Sequence, residues 1–198
     1  NGVQLINNSI SGVFDLSNKT SFQYIPSAIM VFGSVNHLIY NNSIYLYGEK
    51  QPSNTAAGYC SGISFNTAAT GCNVRNNTIV NLITNTVSGS KSFAVYYAAV
   101  APFNSSTTDY NNYYVDTPQG IVAGVGTTDY ATLAAFKNLN TNMNLNSISL
   151  NPLYNSQNNL RPYFNSPLVN AGVSIPIVTT DKDGNQRSST PTIGAYEL

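Results

Sequence analysis

The stretch HLIYNNSIYL, residues 37–46, decides the fold because variants of it recur along the chain. The variants are VQLINNSISG at 3–12, CNVRNNTIVN at 72–81 and TTDYNNYYVD at 107–116. The second asparagines of their Asn-Asn pairs are 34, 35 and 35 residues apart. A period of this length is typical of repeat proteins, in which similar units stack and share a core.

Apolar and polar residues alternate around each Asn-Asn pair, which predicts strands. Further apolar stretches lie between the pairs and predict a second set of strands. One residue from each repeat is therefore expected in every inward-facing column. The three predicted columns are Leu5, Ile39, Val74 and Asp109; Ile10, Ile44, Ile79 and Tyr114; and Ile29, Ile63, Val95 and Ile121.

The second asparagine of each pair is predicted to lie at a bend and to bond its equivalents in the neighbouring repeats. Each such bond contributes about 1 kcal/mol, and asparagine tolerates the left-handed backbone of a sharp bend. The predicted ladder consists of Asn8, Asn42, Asn77 and Asn112. The pattern favours an all-β fold, a right-handed parallel β-helix of about four coils over residues 1–126. Asn-rich hairpin turns in an antiparallel fold are the alternative, which the constant period disfavours.

The amino-acid composition narrows the classes of molecule that the chain is expected to bind. Charged residues make up only 8% of the 198 residues, and the formal net charge is zero. A nucleic-acid ligand would need a basic stripe, and an anionic membrane surface would need a basic patch. No stretch of 18 apolar residues is present, so membrane insertion is not expected. The 29 asparagines instead suit stacked repeats, because uncharged amides bond to identical neighbours without repulsion.

The repeat ends near residue 126, and residues 127–198 are predicted to form a short helix and a cap on the same β-helix. Leu133, Phe136 and Leu139 would share one face of a helix over 127–140. Thr127, Thr128 or Asp129 would cap its start. The remaining tail reads NPLYNS at 151–156, LRPYFNSPLVNAG at 160–172 and TDKDGNQRSSTPTIGAYEL at 180–198.

This tail resembles the C-terminal region of secreted bacterial (Bacteroidetes-type) right-handed parallel β-helix proteins. The resemblance is carried by an Asn-Pro segment, a Ser-Pro segment with a following glycine, and a D-x-D-G-x-x-R … I-G-A-x-E ending. The matching residues are Asn151, Pro152, Ser166, Pro167, Gly172, Asp181, Asp183, Gly184, Arg187, Ile193, Gly194, Ala195 and Glu197. The resemblance implies a secreted or cell-surface location. It also implies a structural cap in which Arg187 pairs with Glu197 or Asp181.

The candidates for catalysis are few. Asp181 and Asp183 match the start of a calcium loop, but Thr192 stands where the twelfth ligand should be, so Ca²⁺ is only a weak expectation. His37 is the one histidine, and we interpret it as a packing residue. Cys60 and Cys72 could form a disulfide or stay unpaired. Because paired carboxylates for hydrolysis are not evident either, no catalytic residue or cofactor is predicted.

Tyrosines are the remaining functional feature. Tyr45, Tyr47, Tyr96 and Tyr113 are candidates for stacking on sugar rings. The leading hypothesis is a non-catalytic structural or adhesin-like module. The alternative is a β-helix protein that binds a polysaccharide or surface glycan, or degrades one as a lyase or hydrolase. An uncovered first repeat would also allow copies to stack into filaments.

Overall fold

The computed structural model describes residues 2–12, 25–50 and 56–198 as an all-β protein with two short helices. Four successive repeat units contribute three strands each. The first two units supply β1 (Gln4–Ile6), β2 (Ser9–Ser11), β3 (Ser27–Val31), β4 (Leu38–Tyr40), β5 (Ser43–Lys50) and β6 (Tyr59–Phe65). The next two supply β7 (Asn73–Arg75), β8 (Thr78–Asn85), β9 (Lys91–Tyr97), β10 (Thr107–Asp109), β11 (Asn112–Tyr114) and β12 (Gly120–Val125).

The strands of the four units form three sheets. The first sheet has the order β1-β4-β7-β10 and the second the order β2-β5-β8-β11, with all strands parallel. The third sheet has the parallel order β3-β6-β9-β12 and ends in the antiparallel strand β13 (Thr128–Tyr130). The chain therefore visits the three sheets in turn and returns one strand further along. The prediction of an all-β chain with parallel strands is confirmed.

The three sheets share one core. Ile39 of the first sheet, Ile44 of the second and Ile63 of the third are fully buried and belong to a single apolar cluster. Equivalent residues pack in register, as shown by Phe65 and Tyr97, whose rings stack 4.6 Å apart. Full burial of each such side chain contributes roughly 1.5–3 kcal/mol, so these columns supply much of the stability of the fold.

All three columns differ from the prediction in the fourth unit. Thr108 lies opposite Val74, and Tyr113 lies opposite Ile79. The predicted Asp109 and Tyr114 are therefore one residue too far along the chain, and a slip of one residue reverses which face a strand residue occupies. In the third column, Ala123 takes the place predicted for Ile121.

The predicted helix over 127–140 is corrected to a strand followed by a shorter helix. Gly126, with φ of 60°, turns the chain into β13. The helix α2 (Leu133–Leu139) begins after Thr132, whose hydroxyl accepts a hydrogen bond from the Ala135 N–H. Threonine at this position accepts a hydrogen bond from an otherwise unpaired N–H at the start of the helix. The three predicted capping residues lie upstream of the residue that caps the helix.

The rest of the chain has little regular structure. Helix α1 (Val100–Ser105) joins β9 to β10, and strands β14 (Tyr154–Ser156) and β15 (Asn159–Pro162) form a hairpin. Phe136 of α2 is fully buried against Phe103 of α1 and Tyr113. Neither helix of the described residues has the length and apolar character that crossing a membrane requires.

Candidate functional site

Asparagine side chains form a continuous hydrogen-bonded series through the repeat units. The Nδ2 atoms of Asn8 and Asn42 donate to the Oδ1 atoms of Asn42 and Asn77 at 2.8 and 2.9 Å. Each Oδ1 also accepts the backbone N–H of the preceding member, at 3.0 Å in both cases. Asn42 and Asn77 are fully buried, and such buried amides are stable only when paired.

The fourth member of the series is Asn111 rather than the predicted Asn112. Asn77 Nδ2 donates to Asn111 Oδ1 at 3.0 Å. Asn112 instead aligns with Thr78 and bonds both ways with the backbone of Leu150. The shift occurs because Tyr110, with φ of 56°, takes the left-handed position at this bend. The next residue, Asn111, therefore faces inward.

The first asparagine of each of the first three pairs has a separate role that the sequence pattern does not predict. Asn7, Asn41 and Asn76 adopt φ of 58, 54 and 57°, so their side chains point away from the core. Their Nδ2 atoms donate to carbonyl groups of the C-terminal tail. The acceptors are Thr180 for Asn7, Gly194 for Asn41 and Val173 for Asn76. Three consecutive repeat units thus hold one tail.

Arg187 joins the tail to the first repeat unit. Its Nη2 donates to Asn7 Oδ1 at 2.8 Å and to the Gly194 carbonyl at 2.9 Å, and its Nη1 lies 3.3 Å from Glu197 Oε2. The two ionic side chains are only 4% and 7% exposed. Burial lowers the pKa of Arg187, but arginine remains charged at ordinary pH. Removing one partner of such a buried pair is strongly destabilising, because it leaves the other charge uncompensated.

Asp181 organises the turn that precedes Arg187. Its carboxylate accepts N–H groups from Asp183, Asn185 and Glu197, all within 3.1 Å. Burial alone would raise the pKa of Asp181, but these hydrogen bonds outweigh it and lower the pKa below its usual value. The charged form is therefore the one that stabilises the cap.

The lowered pKa of Asp181 predicts that the folded chain loses stability in acid. Its pKa is lower in the folded chain than in the unfolded chain, so its stabilisation is present above the unfolded value near pH 4 and is lost as pH falls below it. We expect Asp181→Asn to flatten this part of the pH dependence, measured by urea unfolding between about pH 4 and pH 2. The control is Asp183→Asn, because Asp183 is exposed. Equal slopes for wild type and Asp181→Asn would contradict the assignment.

The turn does not support the calcium prediction for Asp181 and Asp183. N–H donors surround the Asp181 carboxylate, and a cation needs those oxygen lone pairs. Asp183 lies at the surface and pairs with Arg161 and Lys182. In the parts of the chain that the structure describes, no three His, Cys, Asp or Glu side chains are grouped to hold a metal.

The structure buries two of the four tyrosines that were predicted to bind carbohydrate. Tyr113 is completely buried, and its hydroxyl lies 3.0 Å from Thr108 Oγ1 and from Asn144 Oδ1. Tyr96 faces the outside of the third sheet, but an outer apolar cluster covers it. Tyr45 and Tyr47 are partly exposed, with ring centroids 5.6 Å apart.

Tyr45 belongs to an open groove of about 340 Å³ on the outside of the second sheet. The groove lies between β5 and the β14–β15 hairpin, and we call it the aromatic groove. The Tyr154 hydroxyl hydrogen-bonds to Thr78 Oγ1 at 3.0 Å, and its ring lies 5.9 Å from that of Tyr45 in an edge-on arrangement. The lining includes Tyr45, Asn151, Leu153, Ser156, Gln157 and Tyr163.

His37 and the cysteines have structural positions. The buried His37 ring accepts the Val3 N–H at Nδ1 and contacts the Gly33 carbonyl through Nε2, both at 3.1 Å, so both nitrogens are used. Cys60 and Cys72 are both buried and no disulfide joins them, which decides the open alternative. Burial raises the pKa of the Cys72 thiol, which keeps the thiol protonated.

Comparison of the chain with protein-family models, curated proteins and solved structures found no match.

Proposed function

We propose that this chain is the capped C-terminal region of a secreted or cell-surface bacterial protein, of the Bacteroidetes type that its tail resembles. It would serve as a non-catalytic structural or adhesin-like module. The observation that carries this proposal is the attachment of one tail to three successive repeat units through Asn7, Asn41 and Asn76. Such an attachment fixes the repeat units relative to one another.

The finer fold that we propose is a right-handed parallel β-helix of about four coils. Its support is the strand order, in which each unit adds one strand to each of three sheets around a shared core. Neighbouring strands lie about 4.8 Å apart, so four coils would give a stack on the order of 20 Å. The first part of residues 127–198 would close one end, where β13 pairs with β12 and Ile148 pairs with Asn112 of β11, since exposed strand edges need covering. The later part lies along the three units that hold it through Asn7, Asn41 and Asn76.

The charged groups of the cap favour a structural role over catalysis. Arg187 and Glu197 pair with each other, and Asp181 accepts several N–H groups. A carboxylate that accepts this many hydrogen bonds is held ionised, which suits neither a general acid nor a mobile base. Degradation of a polysaccharide, the other function considered, has no comparable support.

The test of the scaffold proposal is incubation of the folded chain with polysaccharides. Pectate, alginate, xylan and β-glucan are suitable substrates, with reducing ends and absorbance at 235 nm followed over time. We expect no products from any polymer, together with cooperative unfolding in urea and resistance to protease. New reducing ends or unsaturated uronate, absent from a heat-denatured sample, would overturn the non-catalytic assignment.

Self-association is a second proposed property, supported by the open N-terminal edge. Within the described ranges, β1, β2 and β3 each pair with a strand on one side only. Val3 and Val35, 55% and 41% exposed, and Met30, 41% exposed, lie at this edge. At the other end, Ile148 bonds to β11 and β13 covers β12. Copies of this chain would associate through these exposed apolar side chains.

Sedimentation velocity tests this association. We expect a concentration-dependent dimer for the wild-type chain, and Met30→Glu is expected to shift it to monomer because the new charge would be buried at the interface. The control is Leu198→Glu, at an exposed residue of the tail. A monomer at every concentration would overturn the proposal, and so would an equal effect of both substitutions.

A further inference from the structure

We propose that the aromatic groove binds a neutral polysaccharide, whose sugar rings carry hydroxyl groups rather than carboxylates or sulfates. The site would add a recognition function to the proposed scaffold. Its volume of about 340 Å³ lies at the lower end for ligand sites in proteins. Because the groove is open along one side, it suits a segment of a long chain better than an enclosed small molecule.

Exposed apolar surface marks the groove and its border. Tyr163 is 49% exposed, and Phe164 beside it is 88% exposed. Leu153 and Leu150 add further exposed apolar area, at 36% and 50%. A cluster of this kind on a protein with so many polar residues indicates a contact surface. Tyrosine rings offer flat faces to the C–H groups of a sugar and a hydroxyl to its oxygens.

The polar groups of the groove are uncharged. Asn151, Ser156 and Gln157 provide amide and hydroxyl groups, and no lining residue is acidic or basic. Among the described residues, no hydrogen bond to the exposed Gln157 amide is seen. Amides and hydroxyls both donate and accept, which matches sugar hydroxyls. An anionic polymer would find no cationic partner here, so the lining favours a neutral ligand.

The groove is held in a fixed shape. Leu153 has φ of 50°, a left-handed conformation that is unfavourable for a residue with a Cβ. Asn151 Oδ1 accepts the Leu153 N–H at 3.0 Å, and the Leu153 carbonyl accepts the Tyr163 N–H at 2.9 Å. Strained residues that their surroundings hold in place concentrate at ligand sites, and here the hydrogen bond to the Leu153 carbonyl holds the Tyr163 backbone beside the groove.

The experiment is a titration of ¹⁵N-labelled chain with neutral and anionic oligosaccharides. The probes are the hexasaccharides of cellulose, laminarin, mannan and xylan, with hexagalacturonate as the anionic comparison. We expect at least one neutral probe to shift the amide signals of the groove, including Gln157 and Tyr163, with weaker binding of hexagalacturonate. No shift with any neutral probe would overturn the proposal, as would equal or tighter binding of hexagalacturonate.

Substitutions test whether the oligosaccharide binds in the aromatic groove. We expect Tyr163→Ala to weaken binding about tenfold, equivalent to about 1.4 kcal/mol, and Tyr163→Phe to retain most of it because the ring remains. The control is Phe32→Ala, an exposed aromatic residue next to the open N-terminal edge. Thermal unfolding verifies that each variant is folded. Equal losses of affinity for Tyr163→Ala and Phe32→Ala would overturn the assignment of binding to the aromatic groove. The cleavage assay tests the scaffold proposal separately.

Discussion

Replacing Asn77 with leucine is expected to lower the free energy of unfolding by about 4 kcal/mol. Asn77 Nδ2 donates to the carbonyls of Ile39 and Arg75, at 2.8 and 3.1 Å, and to Asn111 Oδ1. Its Oδ1 accepts both the backbone and the side-chain N–H of Asn42. Leucine is similar in size but pairs with none of these groups, and each buried group left unpaired costs about 1–3 kcal/mol.

The matched control for Asn77→Leu is Asn8→Leu, at the open end of the same series. Asn8 is exposed, so water can replace the hydrogen bonds that it makes to Asn42. Urea unfolding of both variants is the measurement, and we expect Asn8→Leu to cost less than about 1 kcal/mol. Similar losses of unfolding free energy for the two variants would show that position along the asparagine series does not affect stability, contrary to the structure.

Arg187→Met is the second large effect, with an expected loss of roughly 3–5 kcal/mol in unfolding free energy. Methionine fills much of the volume but leaves the buried Glu197 carboxylate without its positive partner. It also removes the contacts to Asn7 and to the Gly194 carbonyl, which connect the tail with the repeat units. Unfolding in urea, followed by circular dichroism, measures the loss.

A double variant separates the uncompensated charge from the lost contacts. Arg187→Met combined with Glu197→Gln removes the buried negative charge, while the glutamine oxygen still accepts the Thr192 N–H. We expect the double variant to recover a substantial part of the loss. Arg161→Met is the surface control, because its pair with Asp183 is about one third exposed and contributes at most about 1 kcal/mol. A double variant no more stable than Arg187→Met would contradict the explanation.

The constant spacing of the Asn-Asn pairs predicted the parallel strands, because equal spacing places equivalent residues of successive repeats side by side. The register of the fourth unit could not be predicted in the same way. Asn111 and Asn112 are chemically identical, and only the left-handed Tyr110 decides which of them faces inward. A column of inward-facing residues that is predicted from spacing alone is misaligned wherever a loop changes length by one residue.

The candidate site depends on contacts between distant residues. Arg187 and Asn7 are 180 positions apart, and Asn76 and Val173 are 97 apart. Tyr45 and Tyr113 were both candidates for binding sugar, yet the fold leaves Tyr45 partly exposed and buries Tyr113 completely. Tyr113 is buried because the register of the fourth unit turns it inward, and Tyr96 is buried because it packs with Ile25 and Phe93 on the outside of the third sheet. Neither outcome could be predicted from a local pattern.

Hydrogen exchange of side-chain amides is the most direct test of the asparagine series. NMR can follow the Nδ2 protons of Asn42, Asn77 and Asn111 alongside those of the exposed Asn158. The structure predicts that the three buried amides exchange at least about a thousandfold more slowly than Asn158, because their release requires opening of the repeat stack. Exchange of all four at the same rate would show that these amides do not bond from one repeat to the next.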